Sequence, residues 1–174
     1  MRKRLLAFTM AFVALFSLLT FYLGCGRDQG SQEPGERDSG RQVKSGPANF
    51  ALRDLQGQIF RMKDYRQKTV LLIFGTTWCP SCRSEIPHFK QIYGKYAPRG
   101  LEVAYVNIQE PQDKVARFSA KYQLPYRTLL DSSGEVAASY GIRGVPAMAL
   151  LKDGKILTLD YRLIDGYLEK IFPR

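Results

Sequence analysis

The run Thr69-Val70-Leu71-Leu72-Ile73-Phe74 has apolar side chains at both parities, so a strand built from it must be covered on both faces. Such a strand belongs in the middle of a sheet with helices above and below it. Five residues on stand the two thiols of Trp78-Cys79-Pro80-Ser81-Cys82. After them Ile86, Phe89, Ile92, Tyr93 and Tyr96 recur at three- and four-residue spacings, which predicts a helix over 79–96 that ends before Pro98 and Gly100. A buried strand that delivers a cysteine pair to the first turn of a helix is a redox arrangement. The chain has 3 Cys in all, and the third, Cys25, closes an N-terminal apolar segment, which leaves the 79/82 pair for chemistry.

Arg2, Lys3 and Arg4 precede Leu5 to Leu23, 19 residues without a charge. This is the layout of a secretory signal, and at about 1.5 Å per residue it also just spans a bilayer core of about 30 Å. Either form sends the rest of the chain out of the cytoplasm, to the bacterial envelope. Gly24-Cys25 resembles the lipobox of bacterial lipoproteins, which implies a diacylated Cys25 as membrane anchor, although Tyr22 and Leu23 depart from that motif. Residues 26–47 are almost devoid of apolar side chains and cannot offset the entropy of ordering, so they are read as a flexible linker. With 1–25 as the targeting or anchor segment, 48–174 remain as one domain.

The net charge of +10 raises the question of a nucleic-acid partner. Residues 1–47 hold 7 Lys/Arg and 4 Asp/Glu, so the domain itself carries +7, dispersed along its length. Behind an export signal, a dispersed basic surface fits solvation and attraction to anionic lipid, and no nucleic-acid partner is expected.

Phe50-Ala51-Leu52 and Ile59-Phe60 flank a turn near Gln56-Gly57, an N-terminal hairpin. After the cysteine helix come a strand over 101–108, a helix over 112–122 with Val115, Phe118 and Tyr122 on one face, and a strand at 128–130. A short helix near 135–140 leads to a strand over 148–152. The Asp153-Gly154 turn makes this strand an antiparallel hairpin with residues 155–160, and a helix over 163–172 closes the domain. The order β, α, β, α calls for a parallel central portion with right-handed crossovers.

This order, with a cysteine pair between the first long strand and its helix and Val145-Pro146 just before a late strand, resembles the thioredoxin fold. Over residues 48–172 it is similar to the membrane-anchored, extracytoplasmic thiol-disulfide oxidoreductases of the TlpA/ResA type. The residues that carry the likeness are Asn49 to Leu52, Thr77 to Cys82, Glu85, Pro87, Asp131, Gly144-Val145-Pro146 and Asp153-Gly154-Lys155. The resemblance implies an α/β thioredoxin fold: a central mixed sheet flanked by helices, with an N-terminal β-hairpin extension. It also implies disulfide reductase activity without a cofactor, protein disulfides as substrates, a membrane-bound thiol electron donor and a place in cytochrome c maturation. Two departures stand out. Gly75 occupies a position where the group often has Trp, which implies a more open floor to the site. Ile73 occupies the position of the buried Asp of cytoplasmic thioredoxins, and Glu85 is the matching carboxylate of the ResA-like group.

At a helix N-terminus the Cys79 sulfur faces unpaired backbone N–H groups, which favour the thiolate, and Pro80 fits the first turn because no N–H is needed there. Cys79 is therefore the expected attacker, and Cys82, one turn inward, the expected resolver. Pro146 resembles the proline that follows a cis peptide in this fold and turns the Val145 backbone toward a substrate strand. Trp78 is expected beside the disulfide, shaping the substrate surface. Glu85, three residues after Cys82, is a candidate proton partner for a cysteine, against the plainer reading of a surface carboxylate paired with Arg83 or Lys90. His88 is read as a partly exposed helix histidine, and Pro87 as a kink.

No metal is expected, since a zinc site needs about four ligands and the domain offers only the pair and His88. Two other functions share the fold. Thr76-x-x-Cys79 partly imitates a peroxiredoxin signature, but Leu72 stands where that class has proline. A copper-binding module of the Sco type has three residues between its cysteines and a histidine far downstream, whereas here the gap is two and the only histidine is His88.

Overall fold

In a computed structural model, residues 49–173 are described. The anchor segment 1–25 with Cys25 and the linker 26–47 lie outside them. The Thr69–Phe74 run becomes β3 (Thr69–Gly75), and all of its residues are buried. It pairs in parallel with β4 (Leu101–Ile108) on one side and antiparallel with β6 (Ala147–Lys152) on the other. β4 pairs in parallel with β5 (Arg127–Asp131). The hairpin of β1 (Ala51–Asp54) and β2 (Ile59–Arg61) adds to β5, and β7 (Lys155–Thr158) adds antiparallel to β6. The sheet order is β2-β1-β5-β4-β3-β6-β7, so the sheet is mixed, with the expected parallel portion at its centre.

Successive strand residues point to opposite faces, and β3 supplies a core on each side. Leu71 and Ile73 pack with Phe89, Ile92, Leu150, Ile164 and Leu168 under α2 (Ile86–Tyr96) and α5 (Ile164–Ile171). Val70, Leu72 and Phe74 pack with Phe60, Val106, Leu129 and Tyr140 on the other face, beside α4 (Glu135–Ser139). The remaining helix, α3 (Gln112–Tyr122), contributes Phe118 to the first cluster. The predicted helix over 79–96 is two helices, α1 (Pro80–Ser84) and α2, joined at Glu85. The cause is Pro87, which has no N–H to donate and restricts the backbone before it. At the far hairpin, Asp153 and Gly154 both adopt positive φ, 51° and 73°, the twist that a two-residue turn between antiparallel strands requires.

The floor next to the cysteine turn is not open as the glycine at position 75 implied. Tyr105 of β4 is fully buried and lies over Gly75, so close that a Cβ on residue 75 would stand 2.0 Å from the Tyr105 Oη and 2.6 Å from its Cζ. A ring from the neighbouring strand thus fills the space, and the bulk that the resemblance placed on β3 sits on β4. The Tyr105 hydroxyl has no hydrogen-bond partner among the described residues. Gly75→Ala should therefore destabilise the fold by about 1–3 kcal/mol, and Tyr105→Phe alone should leave stability unchanged or raise it, since the hydroxyl it removes is buried and unpaired. Urea midpoints of the single and double variants test both, with the double variant expected to recover part of the Gly75→Ala loss.

Candidate active site

The register of β3 with its neighbours brings the separated motifs together. Phe74 pairs with Ala147 of β6, so the chain just before β6, Gly144-Val145-Pro146, sits beside the turn that leaves β3. That turn, Thr76-Thr77-Trp78, leads to Cys79, which caps α1 with extended backbone and with Pro80 following as the first helical residue. The Cys82 amide donates to the Cys79 Sγ at 3.1 Å, and the Ser81 Oγ lies 3.3 Å from the same sulfur. Cys79 and Cys82 are joined in a disulfide, with Cα atoms 5.2 Å apart. Cys82 is fully buried and Cys79 is 3% exposed. The Cys79 Sγ lies 3.6 Å from the Val145 carbonyl oxygen, and the Val145-Pro146 peptide is cis. Trp78 is 63% exposed at the rim of a groove of about 640 Å³ lined by Ile108, Ala137, Ile142, Gly144 and Val145. Asp131 supports that wall by accepting the Val136 and Ala137 amides of α4, at 3.4 and 2.9 Å.

Glu85 sits at the break between α1 and α2, half-buried. Its carboxylate accepts the Tyr161 hydroxyl from the chain just before α5, and its Oε2 lies 3.5 Å from the His88 Nδ1. His88 also lies 2.8 Å from the Tyr161 Oη through Nδ1 and 3.3 Å from the Asp165 Oδ2 through Nε2. Burial, then the carboxylate to which it donates, pushes the Tyr161 phenol well above the ordinary tyrosine range, so it stays a donor. Sequence reading foresaw a partly exposed His88 but not its place between Tyr161 and Asp165. Neither Arg83 nor Lys90 takes the Glu85 carboxylate; the Arg83 Nη1 donates instead to the Thr77 carbonyl at 3.4 Å.

A match to the AhpC/TSA family extends over residues 44–158, about two thirds of the chain. The chain belongs to the AhpC/TSA family. The thiol-disulfide oxidoreductase ResA of Halalkalibacterium halodurans is 31% identical over 160 residues, which cover 88% of this chain and 86% of that protein. Among solved structures, StoA from Bacillus subtilis is 28% identical, with a TM-score of 0.58 over 67% of this chain and 89% of that one. The thioredoxin domain of a Bacteroides vulgatus thiol-disulfide oxidoreductase, 22% identical, has a TM-score of 0.62 over 68% of this chain and 92% of that one, a likeness of fold. This AhpC/TSA member has the thioredoxin fold and is a thiol-disulfide oxidoreductase of the ResA type.

One residue of this oxidoreductase site escaped sequence reading. Glu110, at the end of β4, is 8% exposed, and its carboxylate accepts the Thr77 amide at 2.6 Å, the Thr77 hydroxyl at 2.6 Å and the Asn107 side-chain amide at 2.9 Å. The Lys114 Nζ stands 2.8 Å away. Burial alone would push this carboxyl up, but Lys114, both Thr77 donors and Asn107 outweigh it and hold it below the usual carboxylate range. The available signal was position: Glu110 follows the carboxyl end of a parallel strand, where α/β proteins build their sites. A carboxyl depressed by folding stabilises the native state above its unfolded pKa of about 4.3, and that contribution disappears as pH falls through the native value. The urea midpoint should therefore exceed that of Glu110→Gln at pH 7, with the gap closing as the pH is taken toward 3. A gap independent of pH would count against this assignment.

Proposed function

We propose that the protein works as a disulfide reductase on the outer side of a bacterial cytoplasmic membrane, held there by its N-terminal segment, with cytochrome c maturation as the process served. The observation that carries the reading is the placement of the Cys79 sulfur. Cys79 is the one residue of the pair with any exposure, and its sulfur lies 3.6 Å from the carbonyl of Val145, which lines the groove with Trp78, so an extended chain that lies along the groove and pairs with the Val145 backbone brings its disulfide to Cys79. The ResA likeness, the apolar segment 5–23 and Cys25 support the location.

In the proposed cycle the Cys79 thiolate attacks one sulfur of a protein disulfide. That bond breaks, a Cys79–substrate disulfide forms, and the other substrate sulfur leaves as a thiolate. Cys82 then gives its proton to the Glu85 carboxylate and attacks the Cys79 Sγ. The mixed disulfide breaks, the Cys79–Cys82 bond forms, and the substrate leaves with both sulfurs reduced. Two electrons pass from the dithiol to the substrate, and the proton on Glu85 passes to solvent or to the departing thiolate. A membrane-bound thiol donor restores the dithiol by the same exchange in reverse. Trp78, Val145 and Pro146 form the substrate face.

Trapping distinguishes the roles. Cys82→Ser expressed in membranes should accumulate mixed disulfides through Cys79, and Cys79→Ser should not; partners held only by Cys79→Ser would reverse the assignment. Cys25→Ser should abolish acylation and leave the apolar segment 5–23 attached, read as loss of incorporated fatty acid and a larger chain in the membrane fraction, if Cys25 is the lipid anchor. Rapid consumption of hydrogen peroxide that survives Cys82→Ser would replace the reductase reading with the peroxidase one.

A further inference from the structure

The segment that presents the chemistry has little structure of its own. Between the last residue of β3 and the first of α1 lie Thr76, Thr77, Trp78 and Cys79, and the exposed indole of Trp78 is attached to this short crossing. Thr77 is nevertheless held at every polar group it has. Its N–H and hydroxyl donate to the two oxygens of one carboxylate, Oε2 and Oε1 of Glu110, each at 2.6 Å, and its carbonyl accepts from Arg83. The anchor is itself fixed. Asn107, which pairs in register with Gly75, donates to the Glu110 Oε2, and Lys114 of α3 closes the other side at 2.8 Å. Two donors on one residue call for two acceptors at carboxylate spacing, and a buried carboxylate offers them with lone pairs left for Asn107 and Lys114. Because Lys114 neutralises its charge, what reaches the cysteine turn from Glu110 is chiefly placement.

We propose that Glu110 is a positioning residue for thiol-disulfide exchange: through Thr77 it holds the Trp78 indole and the Cys79 sulfur in fixed relation to the Val145 groove, so that an incoming disulfide meets both in one geometry. The inference rests on the reading of Trp78 and Val145 as the substrate face. Thr77 is the joint, and Arg83 locks its far end to α1.

Trp78 is the only tryptophan in the chain, so its fluorescence anisotropy reports directly on this placement. The test compares Glu110→Ala, Glu110→Gln and Thr77→Val with the parent by Trp78 anisotropy, by the rate at which reduced protein reduces a peptide with one internal disulfide, and by urea midpoint. In Glu110→Ala, Trp78 anisotropy should fall, and kcat/KM for the peptide should drop about tenfold, mainly through KM. Glu110→Gln keeps an acceptor for the Thr77 amide, and the Thr77 hydroxyl can turn to accept from the new NH2. It should therefore keep parental anisotropy and stay within about threefold of the parental rate, even where its urea midpoint falls. Thr77→Val loses only the hydroxyl contact and should fall between them; it serves as the decisive variant where Glu110→Ala does not fold. Folded Glu110→Ala or Thr77→Val with parental anisotropy and KM overturns the proposal, as does Glu110→Gln as impaired as Glu110→Ala, which would make charge the operative property. A more mobile Trp78 with unchanged KM overturns the role in exchange and traces the fault to the substrate-face reading, whereas failure of the Cys82→Ser trap alone tells against the attacker assignment.

Discussion

The double pairing of β3 is the constraint on which the site depends. One edge of this strand is in parallel register with β4 and the other in antiparallel register with β6, so three chain segments far apart in sequence reach the same end of the sheet. The β3 exit carries the cysteine turn, the β4 exit carries Asn107 and Glu110, and the β6 entrance carries Val145 and Pro146. A shift of one residue in either register would move Glu110 away from Thr77 or Val145 away from Cys79. It would also turn the apolar side chains of a strand toward the wrong core. The packing that stabilises the sheet therefore also sets the geometry of the chemistry.

Gly75, where the TlpA/ResA group often has Trp, shows how the same space can be filled from another strand. With Gly75 on β3, the ring over the floor comes from Tyr105 on the neighbouring strand β4, so a side chain at position 75 would collide with that ring and loss of the ring would leave a void. Ile73 stands where cytoplasmic thioredoxins have a buried Asp, and two other acidic groups belong to this part of the molecule, Glu85 at the helix break and Glu110 bound to Thr77. They are differently wired: Glu85 is bound by a phenol and faces an imidazole, while Glu110 is bound by backbone and amide donors and an ammonium.

Much of this was legible in the sequence because it is local. The apolar run at 69–74, the three-and-four spacing after Cys82 and the Asp153-Gly154 turn each encode their element within a few residues, and the helix 112–122 and the strand 101–108 have the expected bounds. The cysteine pair and Val145-Pro146 were recognisable as motifs, and the register of β3 with β6 joins them. What could not be read was side-chain contact across long separations. Thr77 and Glu110 are 33 residues apart and Glu85 and Tyr161 are 76 apart, and no periodicity or spacing links them. Gly75 misled for the same reason: an absent side chain says nothing about which neighbour fills its place. The break at Glu85 was half legible, since Pro87 announced a disturbance but not that the helix would divide there.

The burial of the two sulfurs also governs traffic. Cys82 is fully buried and Cys79 is 3% exposed, with its sulfur 3.6 Å from the carbonyl of Val145, a residue that lines the groove. In the proposed cycle a donor that reduces this pair and a client that oxidises it both have to reach the Cys79 sulfur, and one sulfur exchanges with one of them at a time. Under that cycle donor and client visit in alternation, a ping-pong order set by one sulfur serving both. In that order the oxidation state of the pair, dithiol or disulfide, decides which of the two can react next.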